Sequence, residues 1–382
     1  MEILLALITL GAIALILHHH LAWPLILRRA ARHEGPSPTP IARHLLPYIT
    51  LVMPAHNEAL FIARKIANLA ALDYPREQLH IIVAADGCTD DTVARAQAAL
   101  REAGLSAEVR EFRRNRGKVA VLNEVVGSLR GGIVALTDVS ALLPADALQR
   151  IAAHFADPEL GAVGGTYLLE KAGSAGEAKY WRWQVAAKRG EAALGAPLGL
   201  HGAFWAFRRE AFEPLAADTI NDDFILPMGM VLRGWRVAYD ASILVREAER
   251  SSPAQDLRRR RRIAAGNMQQ LLRLLPLLHP RHAGVALAFL SGKALRVMMP
   301  LLIVIAALGT ALLAPGSTFF TLLAITEIAG FAAALAGLAL GARAPRLLAF
   351  AAYALAGHAA SGFGAARYML SRPSQPWRRA AQ

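Results

Sequence analysis

The chain has 382 residues, of which 55% are hydrophobic and 19% are charged, and its mean hydropathy is +0.34. This composition excludes an intrinsically disordered chain and argues against a wholly soluble one. The single cysteine, Cys88, excludes an intramolecular disulfide and a zinc or iron–sulfur site built from cysteines. The formal net charge of +13 is typical of proteins that bind nucleic acid, anionic lipid headgroups or phosphorylated substrates.

The chain opens with an apolar run over residues 3–27, which three histidines interrupt at 18–20 and a basic cluster at 28–32 follows. Roughly 20 apolar residues are enough to cross the hydrocarbon core of a bilayer. A cleaved signal peptide carries its positive charges before the apolar run, not after it. We therefore predict an uncleaved transmembrane anchor over residues 1–30, with its basic end in the cytoplasm. We interpret the histidines as entering the headgroup layer, in preference to forming a metal site.

Residues 45–250 alternate short apolar runs with stretches of helical spacing. This alternation predicts an α/β domain with a mainly parallel sheet and helices on both faces. The predicted elements are strands at 48–53, 80–85, 107–112 and 132–137, and helices at 58–72, 90–103 and 118–129.

Three of these strands end in polar loops, at 54–58, 85–88 and 138–140. Ligands of parallel sheets bind beyond the carboxyl ends of the strands. The three loops are therefore expected to converge on one crevice.

A basic run and then an amphipathic stretch occupy residues 251–292, which we predict to lie at a membrane interface. Transmembrane helices are predicted within 293–371, because the segments 297–314 and 318–341 are each long enough to span a bilayer. A weaker third candidate lies at 347–370.

A basic tail at 372–382 ends the chain. Three full spans after the soluble region would place this tail on the side opposite to the one that the positive-inside rule predicts. Either the third segment is re-entrant or interfacial, or the rule fails in this chain.

Six short motifs occur in a characteristic order: PAHNE (54–58), ADGCTDDT (85–92), RGKVAVLN (116–123), TDVS (137–140), NDDF (221–224) and RRRRRIAAGNMQ (258–269). Their order and spacing resemble those of family 2 inverting glycosyltransferases, most closely the membrane-bound branch that includes cellulose, hyaluronan and poly-N-acetylglucosamine synthases. The resemblance covers residues 48–300. It implies a GT-A fold, a Rossmann-like and mainly parallel sheet, in a catalytic domain that carries transmembrane helices at both ends. It also implies a nucleotide-diphosphate sugar as donor and Mg²⁺ or Mn²⁺ as cofactor.

The resemblance assigns four residues to the nucleotide. Pro54 and Glu58 would line the nucleoside, Asp86 would accept a hydrogen bond from the uracil ring, and Lys118 would face the nucleotide or its phosphates. Each has a structural alternative: Glu58 could cap the next helix, Asp86 could form a turn, and Lys118 could be an ordinary surface lysine.

Asp138 matches the first aspartate of the family's D-x-D metal motif. The resemblance therefore implies that Asp138 binds the metal ion and helps to bind the nucleotide sugar. The third position is Ser140 in place of an aspartate. Mg²⁺ takes hard oxygen ligands and keeps several waters, so Asp138 with phosphate oxygens and water could suffice. The departure at Ser140 nevertheless puts a strict metal requirement in doubt.

Asp223 corresponds by position to the catalytic aspartate of the family, and Asp222 is the rival for the role. Inverting transfer needs one general base to take the proton of the acceptor hydroxyl. Two adjacent aspartates at a helix start could instead serve as a cap that the helix dipole favours.

The segment 258–266 aligns with the family's Q-x-x-R-W element, in which Arg262 keeps the diphosphate-binding arginine and Ile263 replaces the tryptophan. That tryptophan holds the acceptor sugar in processive synthases. Its replacement makes long-chain polymerisation doubtful and favours a lipid-linked or single-sugar acceptor. The five-arginine run could also face lipid headgroups.

Residues 199–209 resemble the family's acceptor-side segment. Gly202 would allow a sugar to approach closely, while His201 and Trp205 would pack against it. Core packing is the alternative for Trp205. The aromatic segment 180–183 is a further candidate for the acceptor wall.

These patterns together predict a multi-pass inner-membrane glycosyltransferase with its catalytic domain in the cytoplasm. It would move a sugar from a UDP-sugar to a lipid-linked or glycan acceptor. The alternatives are a processive polysaccharide synthase and a degenerate, non-catalytic subunit of a membrane assembly. A nucleic-acid partner is not expected, since no aromatic and basic sheet motif is present.

Overall fold

A computed structural model describes the backbone of residues 1–33, 35, 37–169, 175–247 and 253–371. Side chains are described for these residues except 169, 175–182, 253–261, 342 and 371. The chain divides into two compact units, which are described separately. The sheet unit comprises Leu27–Gln255 and Pro276–Ala286, and the helical unit comprises Met1–Ile26, Asp256–Leu275 and Leu287–Pro373.

The described strands form one eight-stranded sheet in the order β3-β2-β1-β4-β7-β6-β8-β5. They are β1 (Ile49–Ala55), β2 (Leu79–Asp86), β3 (Ala107–Phe112), β4 (Ile133–Thr137), β5 (Ala141–Leu142), β6 (Leu160–Leu169), β7 (Phe204–Arg208) and β8 (Arg236–Glu247). The first four in this order are parallel, β7 is antiparallel to both β4 and β6, β6 and β8 are parallel, and β5 is antiparallel to β8.

The described α-helices are α1 (Glu2–Leu17), α2 (Trp23–Ala30), α3 (Ile62–Ala70), α4 (Thr92–Ala103), α5 (Lys118–Ser128), α6 (Ala147–His154), α7 (Ala175–Ala193), α8 (Asp222–Leu232), α9 (Pro253–Arg273), α10 (Ala283–Ala288), α11 (Leu295–Leu313), α12 (Thr318–Leu340) and α13 (Arg346–Ser371). The prediction of a mainly parallel α/β sheet is confirmed, and each predicted strand and helix of the first half lies within a few residues of an observed one.

The core of the sheet unit lies between the sheet and its covering helices. All seven residues of β1 are buried, as expected for a central parallel strand that is covered on both faces. On α3 the apolar residues Ile62, Ile66 and Leu69 recur at helical spacing and are buried against this sheet. Pro54 is tolerated in β1 because the pairing with β4 ends at Val52, so no hydrogen bond to β4 is lost there.

The described chain contains four helical segments that are long and apolar enough to cross a membrane: Glu2–His33, Pro280–Gly316, Thr318–Leu340 and Arg346–Leu370. In the helical unit, Ala12 of α1 packs among Met299, Leu302 and Ala306 of α11. Many large apolar side chains face outward instead, among them Leu7 and Leu308, which are 64% and 62% exposed. Water does not favour so large an apolar surface, whereas lipid does.

Candidate active site

The polar loops that follow β1 and β2 are joined by hydrogen bonds at the carboxyl edge of the sheet. The His56 Nδ1–H donates a hydrogen bond of 2.7 Å to the Asp86 carbonyl oxygen. The Glu58 backbone N–H donates to the Thr92 hydroxyl at 2.6 Å, and the Glu58 side chain is buried. The Glu58 carbonyl accepts hydrogen bonds from the Phe61 N–H at 2.9 Å and from the Ile62 N–H at 3.0 Å, so its backbone also takes part in the start of α3.

Asp86 ends β2 and organises the start of α5. Its carboxylate is 1% exposed and accepts backbone hydrogen bonds from Arg116 at 3.0 Å and from Gly117 at 2.8 Å. Gly87 and Gly117 both adopt positive φ, and a Cβ at Gly87 would come within 2.2 Å of the Asn115 nitrogen. Asp86 therefore holds the loop that presents Lys118.

Lys118 lies between two carboxylates. Its Nζ is 3.2 Å from Asp138 Oδ1 and 3.5 Å from Asp222 Oδ2, and its side chain is only 16% exposed. Burial lowers the pKa of Lys118, but the carboxylates of Asp138, Asp222 and Asp223 outweigh it and raise this pKa above its usual value. Lys118 is therefore a charged group of the crevice, and the surface-lysine alternative is wrong.

Asp222 and Asp223 form the first turn of α8. Asp222 is 8% exposed, and its Oδ2 accepts no hydrogen bond from the described residues although the Lys118 ammonium lies nearby. Asp223 lies against Gly202, where a Cβ would come within 3.1 Å of Asp223 Oδ2. The lack of a side chain at Gly202 thus leaves space beside the Asp223 carboxylate.

Backbone hydrogen bonds join the segment 199–203 to α8 on one side and to the end of β4 on the other. The Leu200 N–H donates to the Asp223 carbonyl at 2.8 Å, and the Asp138 N–H donates to the Ala203 carbonyl at 3.1 Å. Gly199 has a φ of +73°, and a Cβ there would come within 2.6 Å of the Phe224 ring. These backbone contacts place Asp138 and Asp223 at one crevice.

His201 and Trp205 differ in accessibility. The His201 ring is half-buried beside Tyr167 and Tyr239, at centroid distances of 6.1 Å and 6.3 Å. Trp205 is fully buried in β7 and packs against Phe207 at 5.0 Å. The prediction that Trp205 contacts an acceptor is corrected, because a fully buried ring cannot reach one, and core packing accounts for it.

Lys65 was not predicted. It is fully buried on α3, and its Nζ donates to the Thr137 hydroxyl at 2.8 Å and to the Ala141 carbonyl. Burial lowers its pKa to about 7, although Asp138 and Glu247 act in the opposite direction. Lys65 thus joins the residues that flank Asp138. Its signal in the sequence is a lysine on the apolar stripe of a helix, next to Ile66.

The remaining predicted residues belong to other parts of the chain. Pro54 is buried in β1, and Arg262 and Ile263 are exposed on α9 in the helical unit. The side chains of residues 180–182 and 258–261, and the tail at 372–382, lie outside the described residues.

The crevice offers few protein ligands to the implied Mg²⁺ or Mn²⁺. No three histidine, cysteine, aspartate or glutamate side chains among the described residues form a metal-binding group. The Asp138 side chain is nevertheless 43% exposed, and Asp222 Oδ2 is a buried oxygen that accepts no hydrogen bond from the described chain. These residues fit a divalent ion to which the donor diphosphate and water supply most ligands, as Mg²⁺ sites commonly allow.

Comparisons with known proteins agree with this geometry. Residues 47–266 match the family described as glycosyltransferase like family 2. The chain is 28% identical over 238 residues to a beta-monoglucosyldiacylglycerol synthase of Synechocystis. The aligned region covers 59% of this chain and 49% of that protein. It is also 28% identical over 200 residues to a poly-beta-1,6-N-acetyl-D-glucosamine synthase of Staphylococcus aureus, covering 50% and 48% of the two chains. The chain thus spans about half the length of these curated relatives.

A similar solved structure is the mannosyltransferase PcManGT of Pyrobaculum calidifontis, in complex with GDP-Man and Mn²⁺. The TM-score is 0.72 at 24% identity, over 96% of this chain and all of that one, which confirms the predicted GT-A-like fold. The family match covers more than half of the chain, and the crevice lies within it. The chain therefore belongs to glycosyltransferase family 2 and is a glycosyltransferase with a GT-A-like fold, related to glycolipid and polysaccharide synthases.

Proposed function

We propose that this chain is a membrane-bound inverting glycosyltransferase that moves a sugar from a UDP-sugar to a lipid or glycan acceptor at the cytoplasmic face of the membrane. The main support is the crevice itself, in which one lysine and three aspartates meet beside Gly202. An intact charged crevice argues against a non-catalytic subunit.

Asp223 is the proposed general base. Its carboxylate borders the space that Gly202 leaves, where an acceptor hydroxyl can approach it. Asp222 is more deeply buried and lies 3.5 Å from the Lys118 ammonium, so an acceptor hydroxyl reaches it less easily than Asp223. Inversion needs only one base on the face opposite the leaving group, and Asp223 fits that requirement better than Asp222.

Lys118 is the proposed electrostatic partner of the leaving diphosphate. Its raised pKa keeps it protonated, and the Asp86-bound loop holds it in place. A positioned cation stabilises negative charge that develops on a leaving phosphate oxygen. A divalent ion bound at Asp138 would supply further positive charge to the same diphosphate.

The donor and acceptor classes follow from the relatives and from the apolar helices. The curated relatives are named as glucosyldiacylglycerol and poly-N-acetylglucosamine synthases, whose names indicate lipid and glycan acceptors. Four helices are long and apolar enough to cross a bilayer, and a chain held in the membrane meets lipid and lipid-linked acceptors there. Ile263 stands at the position of the acceptor-binding tryptophan, which favours a single addition over processive synthesis.

The test is nucleotide release by the detergent-purified full chain. UDP-glucose, UDP-N-acetylglucosamine and GDP-mannose are each incubated with diacylglycerol or a membrane lipid extract, with and without Mn²⁺. Asp223→Asn is compared with Asp146→Asn, a matched carboxylate just before α6 that pairs with Arg150.

We expect release from one UDP-sugar that requires acceptor, with the product anomer inverted relative to the donor by NMR. Asp223→Asn should abolish the release, and Asp146→Asn should not. Release from GDP-mannose alone would overturn the UDP assignment. Retention of the anomeric configuration would overturn the proposed mechanism.

A further inference from the structure

The helical unit contains a polar cluster in otherwise apolar surroundings. Two π-helical turns, His18–Ala22 and Phe289–Ala294, contact each other there. Such turns are rare and are frequently found at functional sites. The His18 Nε2 lies 2.9 Å from the Ser291 hydroxyl, and the His19 Nδ1 lies 2.7 Å from the Ser291 carbonyl. Ser291, which is 2% exposed, thus holds the first two histidines in fixed positions.

The third histidine is held differently. The His20 ring packs edge-on against His19 at 4.9 Å and against His358 of α13 at 5.2 Å. Within the described part of the chain, neither His20 nor His358 makes a hydrogen bond. Their ring N–H groups are therefore donors for which the described protein supplies no acceptor.

Arg296 of α11 adds a positive charge. It is an exposed residue in the first turn of α11, directly after the π-helical turn Phe289–Ala294, and its charge acts on His19, His20 and His358. No carboxylate among the described residues forms an ion pair with it. His20, His358 and Arg296 thus have no acceptor among the described residues, and a negatively charged ligand with several acceptor oxygens would satisfy all three.

The surroundings restrict the ligand further. Leu21 and Leu290, next to the cluster in sequence, are 61% and 47% exposed, so apolar surface adjoins the donors. A metal ion is not indicated, since no metal-binding group forms among the described residues. A ligand with both a charged phosphate and apolar chains matches the donors and this surface together.

We propose that His20, His358 and Arg296 bind the phosphate of an anionic membrane lipid. The guanidinium and imidazole N–H groups donate to the phosphate oxygens, and the acyl chains lie along the exposed leucines. The proposal rests on the proposed membrane placement of the helical unit, and not on the identity of the sugar donor or acceptor.

The experiment titrates the delipidated full chain in detergent with dioleoylphosphatidylglycerol or dioleoylphosphatidylcholine and follows the lipid-bound fraction by native mass spectrometry. Excess inorganic phosphate serves as a competitor. The variants are Arg296→Gln, His20→Phe and His358→Phe, in which the phenyl ring keeps the ring packing. The matched control is Arg343→Gln, an exposed arginine after α12. Nucleotide release is measured on the same preparations.

We expect phosphatidylglycerol to bind about tenfold more tightly than phosphatidylcholine, and each cluster variant to lose about tenfold in phosphatidylglycerol affinity with an unchanged melting temperature. Arg343→Gln should bind like the wild type. Equal binding of the two lipids, or unchanged binding by the cluster variants, would overturn the proposal, and full displacement by inorganic phosphate would assign the site to a soluble phosphate instead. Because binding is measured directly, a chain without transferase activity still gives a decisive result.

Discussion

The two halves of the sheet, β3-β2-β1-β4 (the parallel half) and β7-β6-β8-β5 (the second half), border different parts of the crevice. At the carboxyl edge of the parallel half, Asp86 accepts two backbone N–H groups, and Lys65 donates to the Thr137 hydroxyl and to the carbonyl of Ala141 in β5. In the second half, which begins at β7, Gly202 lacks a side chain and leaves open space beside the Asp223 carboxylate. In the proposed function, the parallel half is a preformed support for the donor, and the second half leaves room for the acceptor and the base.

Lys118 connects the two halves, so its replacement is expected to have the largest effect. Lys118→Met should lower kcat/KM for nucleotide release by about 100-fold, because the leaving diphosphate loses its protein cation. Lys118→Arg, which keeps the charge, should recover part of the activity. A Lys118→Met enzyme within threefold of wild type would show that the support of the parallel half is not needed for chemistry.

Gly202→Ala tests the open space in the second half. The new Cβ would lie 3.1 Å from Asp223 Oδ2 and must displace the carboxylate by a few tenths of an ångström. We expect kcat to fall about tenfold while the affinity for UDP is unchanged. Gly127→Ala is the control, since it lies on α5 with nothing within 4 Å of its Cβ. Equal activity of the two variants would contradict the role of this space.

Lys65→Met tests the preformed half through stability. The pKa of Lys65 is lowered from 10.5 to about 7 in the folded protein. Between these pH values the unfolded chain holds a proton that the folded protein lacks, so this lysine makes the wild type more stable as the pH rises.

Removal of the amine should therefore cost more free energy of unfolding at about pH 9 than at about pH 6. The difference between the two costs should be at most about 3 kcal/mol. Urea titration at both pH values measures this, with Arg101→Met on α4, an exposed cation, as the control. A cost that is the same at both pH values would contradict the burial of a neutral amine.

The sequence predicted the parallel half well because its signals are local. A buried apolar run that stops at a polar residue places Asp86 and Asp138 at strand ends without knowledge of the rest of the chain. The insertion of β7 between β4 and β6 was not predicted, since it depends on pairing between residues far apart in the chain.

The same limit explains the errors at single residues. The motif leaves acceptor contact and core packing open for Trp205, and the choice between them depends on β7 lying inside the sheet. Lys65 was overlooked because its partners, Thr137 and Ala141, lie more than 70 residues further along the chain. The roles of Arg262 and Ile263 in the helical unit stay predictions.

In the proposed mechanism, Asp223 is the base and Asp222 is the partner of Lys118. The most direct measurement compares Asp223→Asn and Asp222→Asn in acceptor-dependent nucleotide release and in UDP binding. We expect Asp223→Asn to lower kcat about 1,000-fold with UDP affinity unchanged, and Asp222→Asn to lower kcat about tenfold. An Asp223→Asn enzyme that keeps a tenth of the wild-type rate, or an Asp222→Asn enzyme that is the more impaired of the two, would contradict it.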